Sequence, residues 1–334
     1  MTEETFHKFN NIREMIAEMQ YRDGTALLWE ENGGVKEKSW RELASAAIDK
    51  AYDLPGYADA VVWDGKAATI ERILADFMAG RNVLLAGEHM ERESVDGAAS
   101  SLEQRQTGFL KNHSAVALFT SGTTGKPKGV ILTQRSIAFS LWSGQKVLAC
   151  GPGDIILSEL PVYHVYGLVA SLLWGLAYQA TVAIGRGPGH LKEDMELFKP
   201  TILPATPRMV EGVAERQEFN KELRTLIIGG YFPGEKLIEE LRSWNGSFHV
   251  GYGMTETACQ IAMSMDRDEP QKLTPFPGVH IKIDDDGEIC IESPSIMEGY
   301  LGEPPLMEPV FRTGDLGELD EQGRLIIKGR KKAL

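Results

Sequence analysis

One stretch constrains the fold of this chain more than any other. The apolar run Ala115 to Phe119 leads directly into small, hydroxylic and basic residues, giving Leu118-Phe-Thr-Ser-Gly-Thr-Thr-Gly-Lys-Pro-Lys-Gly-Val130. The apolar run reads as a buried strand, so the loop leaves a sheet edge, where α/β proteins gather their ligands. Within it lie three glycines, four hydroxyls and two lysines. Glycine permits positive φ and close backbone approach, consecutive amide groups can form an anion-binding concavity, and the hydroxyls and lysines add donors and charge. That composition suits phosphate. A Walker loop is excluded, because Gly125-Lys126 is followed by Pro127 rather than Ser or Thr and Thr120 stands where the first glycine is required. Taken alone, the run is also readable as a flexible surface loop.

With 334 residues and 43% hydrophobic content, the chain can bury a large core and exceeds the usual single-domain size. Its 35 basic and 48 acidic residues leave a formal charge of -13. That balance argues against a nucleic-acid partner and would repel a polyphosphate except where lysines concentrate. No stretch approaches the roughly 20 apolar residues of a membrane-spanning helix, and Met1 to Phe9 is polar, so a cytoplasmic protein is expected. Cys150, Cys259 and Cys290 are few, odd in number and lack metal spacing, which predicts buried free thiols.

Elsewhere strand and helix patterns alternate, predicting an α/β protein with mainly parallel sheets covered by helices. Ala60 to Trp63 and Asn82 to Ala86 read as strands around a helix over Ala68 to Ala79. Ile155 to Leu160, Ala180 to Ile184, Thr201 to Pro204, Leu226 to Ile228 and Phe248 to Tyr252 read as further strands, with helices over Val169 to Leu176 and Glu235 to Trp244. After about residue 270 come two hairpin signatures, around Asp-Asp-Asp-Gly and Asp-Glu-Gln-Gly. The expected division is an abbreviated N-terminal α/β subdomain (1–114), a second α/β subdomain (115–269), a small β-rich subdomain (270–328) and a terminal segment (329–334).

The loop does not stand alone. Ser121-Gly-Thr-Thr-Gly-Lys-Pro-Lys-Gly129 resembles the phosphate loop of the adenylate-forming enzymes, the superfamily of acyl-CoA synthetases, peptide-synthetase adenylation domains and luciferases. Leu160-Pro-Val-Tyr-His-Val-Tyr-Gly-Leu168 resembles their acyl-pocket segment and Leu226-Ile-Ile-Gly-Gly-Tyr231 their adenine segment. Gly251-Tyr-Gly-Met-Thr-Glu-Thr257 resembles the magnesium and phosphate segment, and Arg312-Thr-Gly-Asp315 and Gly329-Arg-Lys-Lys332 the ribose and hinge segments. These motifs occur in the family's order.

The resemblance implies ATP-dependent activation of a carboxylic acid to an acyl-adenylate with release of pyrophosphate, followed in a complete enzyme by thioester formation with CoA. A carrier protein bearing phosphopantetheine is the alternative acceptor, and a non-catalytic nucleotide-binding relative is a third reading. Thr120, Ser121, Gly122, Thr123, Thr124 and Gly125 would cradle the phosphates, with Lys128 adding a cation; Lys126 is either a further ligand or a solvated loop residue. Thr255 would bond the α-phosphate and Glu256 would hold Mg²⁺, which favours one or two carboxylates plus substrate oxygens. Gly229, Gly230, Tyr231, Tyr252, Gly253 and Met254 would surround the nucleotide. Asp315 has two acceptor oxygens for two ribose hydroxyls, unless it serves only an Asx turn. Arg330 would reach the ribose and Lys332 marks the hinge, or both belong to a solvated basic tail. Tyr163, His164, Gly167, Tyr231 and Met254 would line the acyl pocket, His164 being either a pocket residue or a satisfied core histidine. The family usually carries a small residue at position 231 and often histidine at 134, where this chain has Tyr231 and Gln134. In the family a small mobile domain with a catalytic lysine comes after the hinge, so a chain ending at Leu334 is expected to adenylate slowly. Two aromatics and a methionine are compatible with aryl or medium-chain aliphatic (fatty) acids.

Overall fold

The computed structural model describes residues 9–105, 115–120 and 128–331. The loop residues Ser121, Gly122, Thr123, Thr124, Gly125 and Lys126, and the hinge residue Lys332, lie outside the described residues.

Two sheets carry the fold. Strands β1 (Thr25–Glu31), β2 (Gly34–Ser39), β3 (Ala58–Trp63), β4 (Asn82–Gly87), β5 (Ala115–Thr120) and β6 (Lys128–Thr133) come first. They are followed by β7 (Ile155–Ser158), β8 (Thr181–Ile184), β9 (Ile202–Ala205), β10 (Thr225–Ile228), β11 (Ser247–Met254) and β12 (Cys259–Ser264). The remainder are β13 (Leu273–Pro275), β14 (His280–Ile283), β15 (Glu288–Glu292), β16 (Gly299–Tyr300), β17 (Phe311–Leu319) and β18 (Leu325–Arg330). The smaller sheet has the order β16-β6-β5-β4-β3 and the larger β14-β15-β17-β18-β13-β12-β11-β10-β9-β7-β8-β1-β2.

The mixed α/β class expected from the alternating pattern is present. In the larger sheet β1, β8, β7, β9, β10 and β11 run parallel, and β12 onward is antiparallel. β11 makes the change: Ser247 to Val250 pair with β10, whereas Gly251 to Met254 pair with β12. The β-rich segment therefore continues the hydrogen-bonded order of the parallel strands. Strand pairing also crosses the sequence divisions, since β1 joins β8 and β16 joins β6. Burial explains β1, whose Ala26 and Leu27 are fully covered by the larger sheet's core.

Local chemistry sets the helices. Trp40–Asp53 opens with a capping box between Ser39 and Glu42, and Ala67–Ala79 stops at Gly80 with φ 72°. Gln134–Val147 opens on Thr133, which accepts from the Ser136 amide. Gln134 itself is buried: its Oε1 accepts from the Arg13 amide at 3.0 Å and its Nε2 donates to Phe77 O at 3.0 Å. At this position, glutamine clamps three helices together. Residues Tyr166–Leu173 wind as a π-helix before an α-helical turn at Trp174–Tyr178, a wide coil often found beside functional sites. Cys150, Cys259 and Cys290 are buried free thiols, as expected.

Candidate active site

The motif residues gather beyond the carboxyl ends of the parallel strands, the usual ligand position in such sheets. β5 and β6 pair in register from Ala115↔Thr133 to Thr120↔Lys128, so the base of the phosphate-type loop is a fixed rung. Lys128 Nζ lies 4.6 Å from the centre of the Tyr300 ring and 3.9 Å from Glu303. Tyr300 in turn donates its hydroxyl to Glu256 Oε1 at 3.0 Å. The backbone fastens the same group: the Met297 amide donates to Glu256 O at 2.8 Å, and those of Glu298 and Leu301 donate to Ile131 O (2.8 Å) and Gly129 O (2.7 Å) on β6.

Thr255 and Glu256 sit in a short 3₁₀ turn, Thr255–Thr257, directly after Met254 ends β11. Among the described residues no group of three or more His, Cys, Asp or Glu side chains could hold a metal ion. Magnesium does not need one, since it takes one or two carboxylates and completes its shell with phosphate and water oxygens. Only Oε1 of Glu256 has a protein partner among the described residues, so the donor set fits.

A second cluster faces this one. Asp315 on β17 is 8% exposed; its Oδ2 accepts from the Tyr252 hydroxyl and its Oδ1 from Arg330 Nη1, both at 2.7 Å. Tyr252 is therefore a positioning residue for Asp315, and burial, followed by the Asp315 charge, pushes its pKa far above the usual phenol value. Burial works against the Arg330 charge, but the ion pair with Asp315 and then the fields of Tyr252 and Glu256 leave its pKa raised.

Gly229 and Gly230 follow β10, with Gly230 at φ 92°. A Cβ on Gly229 would come within 2.7 Å of the Tyr166 ring, whose hydroxyl donates to Ile227 O at 2.7 Å. Tyr166, rather than Tyr231, is the aromatic packed against this segment. Tyr231 is 54% exposed and its hydroxyl accepts from the Arg208 amide at 3.0 Å.

Residues expected around the acyl pocket separate into two places. Tyr163 and His164 pack ring to ring at 4.5 Å, and Tyr163 meets His89 at 5.5 Å, in a cluster beyond the ends of β4 and β7. His164 is exposed, so it is not a core histidine; partial desolvation and then His89 lower its pKa. Gly167 is buried, and a Cβ there would meet Pro161 O at 2.3 Å, so it packs the chain against itself.

A separate cavity of about 40 Å³ lies between the π-helix, β10 and β12, walled by Val169, Ala170, Ile227, Cys259, Gln260 and Phe276 among others. None of Tyr163, His164, Gly167, Tyr231 or Met254 lines it. Two successive residues with positive φ, Ala258 (51°) and Cys259 (103°), turn the chain into β12. That turn lays Gln260 over β11: a Cβ on Gly251 would meet Gln260 Nε2 at 2.1 Å, and one on Gly253 would meet Cys259 O at 2.0 Å. The glycines of Gly-Tyr-Gly-Met-Thr-Glu make room for this strand.

Sequence reading missed His89, Tyr166, Tyr300 and Gln260. Tyr166 and Gln260 stood within or three residues beyond recognised motifs, whereas His89 and Tyr300 reach the site only through strand pairing.

The chain matches the AMP-binding enzyme family over residues 58–301. It is 31% identical to a 2-succinylbenzoate–CoA ligase of Listeria monocytogenes over 247 residues, 67% of this chain and 50% of that one. It is 30% identical to the 4-coumarate–CoA ligase CCL1 of Humulus lupulus over 254 residues, 65% of this chain and 46% of the other. The chain spans about half the length of the curated relatives it matches. Its fold is shared with o-succinylbenzoate CoA synthetase of Bacillus subtilis in complex with an acyl-adenylate intermediate, at a TM-score of 0.81 and 22% identity, covering 97% of this chain and 78% of that one. No helix among the described residues is long and apolar enough to cross a membrane. The ordered motifs, the strand order that assembles them and the match over most of its length make this chain a member of the AMP-binding enzyme family.

Proposed function

We propose that this chain carries the nucleotide-binding and acid-activating site of an AMP-forming acid–thiol ligase. A substrate carboxylate oxygen attacks the α-phosphorus of ATP, the bond to the β-phosphate bridge breaks, and pyrophosphate leaves. A thiol, deprotonated as it reacts, then attacks the acyl carbonyl carbon, the bond to the phosphate oxygen breaks and AMP leaves, CoA being the acceptor suggested by the relatives. The observation that supports this reading is a pair of held carboxylates: Asp315, fixed by Tyr252 and Arg330, and Glu256, fixed by Tyr300, whose ring also carries Lys128.

Each residue has a physical task in such a reaction. An in-line displacement at phosphorus is accelerated mainly by positioning and by stabilising charge. Asp315 would accept from the ribose hydroxyls, held in place by Tyr252 and Arg330. Lys128 would neutralise charge on the departing phosphates, and Thr120, Ser121, Gly122, Thr123, Thr124 and Gly125 would supply hydrogen-bond donors to them. Glu256 would hold Mg²⁺, which would supply positive charge against the developing phosphate charge. Thr255 would donate to the α-phosphate. No side chain is needed as nucleophile, because the substrate carboxylate is one already. The cluster of His89, Tyr163 and His164 would stand where the acyl group meets the thiol. The divisions after residues 114, 269 and 328 stay as our partition of the chain, and a cytoplasmic location and a carrier-protein acceptor stay as extensions of the same reading.

Acid-dependent pyrophosphate release tests it, measured with ATP, Mg²⁺ and a panel of aryl and aliphatic acids. Release with at least one acid, abolished in Glu256→Ala, is expected. Magnesium-dependent nucleotide binding that survives in Glu256→Ala would remove the metal assignment.

A further inference from the structure

The cavity beside β12 has mainly apolar walls and two polar side chains, Ser140 and Gln260. Its wall includes Val169 and Ala170 from the π-helix, Ile227 from β10, Cys259, Met263 and Phe276. Gln260 enters from β12, and its Nε2 is buried with no hydrogen-bond partner among the described residues. A carboxamide nitrogen has two protons to donate. The nearby Tyr166 hydroxyl gives its own proton to Ile227 O, and at most one Gln260 N–H can lean on its oxygen. No described residue accepts the other. A buried donor left unpaired is destabilising, so a ligand acceptor that enters this cavity gains a hydrogen bond there.

The position of Gln260 gives this donor a direction. It pairs with Gly253 across the β11–β12 rung, one strand away from the turn that holds Thr255 and Glu256. A carboxylate reacting beside that turn would direct its tail along β12 toward the cavity. No lysine or arginine among the described residues lines the cavity, so a second carboxylate on the tail would be buried without a counter-charge, a strongly unfavourable arrangement.

We propose that the activated acid carries an uncharged oxygen acceptor on its tail, a keto, ether or hydroxyl oxygen, and that Gln260 selects it by donating from Nε2. This rests on the reading of the site as acid-activating and names the substrate class of that site. A site built to bond such an oxygen discriminates strongly against the analogue lacking it, because the buried donor is then left unpaired.

Matched acids test the inference: 5-oxohexanoate against hexanoate, and 4-methoxybenzoate against 4-ethylbenzoate, in pyrophosphate release by the wild-type chain and by Gln260→Leu and Gln260→Met. The wild type should favour the oxygenated member of at least one pair by about tenfold or more in kcat/KM. Both variants should erase or invert that preference, chiefly through KM for the acid, while KM for ATP reports whether the nucleotide site is intact. Thermal melting identifies a variant that fails to fold, and the other variant then decides. An active wild type with no preference in either pair, or a preference unchanged by both substitutions, overturns the role of Gln260 and leaves the acid-activating reading standing. A wild type silent with these acids and with a broad acid panel overturns that reading, and this inference with it.

Discussion

The Tyr300 hydroxyl donates to Glu256 Oε1 at 3.0 Å across 44 residues of sequence, and its ring carries Lys128 Nζ at 4.6 Å on the other side. One side chain on the smaller sheet therefore orients both the metal-type carboxylate and the cation at the base of the phosphate-type loop. Burial, with the Glu256 charge next, pushes the Tyr300 pKa well above the ordinary phenol value, so the hydroxyl stays a donor at every working pH. Tyr300→Phe is expected to raise the magnesium concentration for half-maximal pyrophosphate release by about tenfold, the usual worth of a hydrogen bond to a charged group. A metal titration curve that coincides with the wild type would show that Glu256 is oriented by something else.

Asp315 holds one partner on each oxygen, and a ribose must compete with or join them. Asp315→Asn keeps the shape but gives up the charge that pairs with Arg330. Loss of one partner of a charged hydrogen-bonded pair costs about 1.5–3 kcal/mol, so KM for ATP should rise roughly 10- to 100-fold. Tyr252→Phe, which leaves the Arg330 contact in place, should produce a smaller rise in the same direction. Isothermal titration with ATP separates the two; equal affinities for wild type and Asp315→Asn would remove Asp315 from the nucleotide site.

Glu159, at the end of β7, supplies a pH dependence unrelated to catalysis. Burial, followed by the neighbouring Asp194, pushes its pKa up to about 8, although the Gly187 amide donates to its Oε2 at 2.9 Å. A carboxyl with a raised folded-state pKa binds its proton more tightly in the native chain than in the unfolded one. Its contribution to stability is therefore complete below the ordinary pKa near 4.5 and lost as pH rises toward 8. Glu159→Gln should flatten the decline of the melting temperature between those limits. An unchanged slope would mean that Glu159 is already ionised in the native protein.

Gly167 is the second residue of the π-helix, with Pro161 O only 2.3 Å from where a Cβ would sit. Gly167→Ala should force the helix away from the Leu160-Pro161 turn, at about 1–3 kcal/mol, the usual cost of overpacking. Thermal or urea denaturation reads this directly, and a midpoint equal to the wild type would show that the turn gives way freely.

Sequence reading succeeded where periodicity or turn chemistry was local. The two hairpins after residue 270 appear as β14–β15 and β17–β18, and the helix over Ala68 to Ala79 is off by one residue. It failed where tertiary pairing decided the outcome. β2 carries charged residues on an exposed edge and β1 beside it ends on Glu30 and Glu31, which weakened their alternation, and β16 is two residues long, too short to have a period. The candidate site divides the same way. Asp315, Arg330, Glu256 and Lys128 were legible because their spacing within motifs is distinctive. Tyr231 resembled a stacking aromatic, yet the chain after Gly230 turns it outward and Tyr166 fills the space beside Gly229. A donor such as Gln260 is invisible in sequence, because its significance lies in the partner it lacks among the described residues.

Met297 to Leu301 hydrogen-bond alternately to Glu256 and to β6, and this gives the chain unequal tolerance for changes in length. The Leu306 amide still donates to Glu298 O at 2.8 Å, so extra residues would merely lengthen a connection only from Met307 to Val310, before β17. One residue inserted between Met297 and Tyr300 would instead reverse the side that Tyr300 presents, since strand side chains alternate. Homologous chains that keep this chemistry should vary in length after Leu306 and not between Met297 and Tyr300.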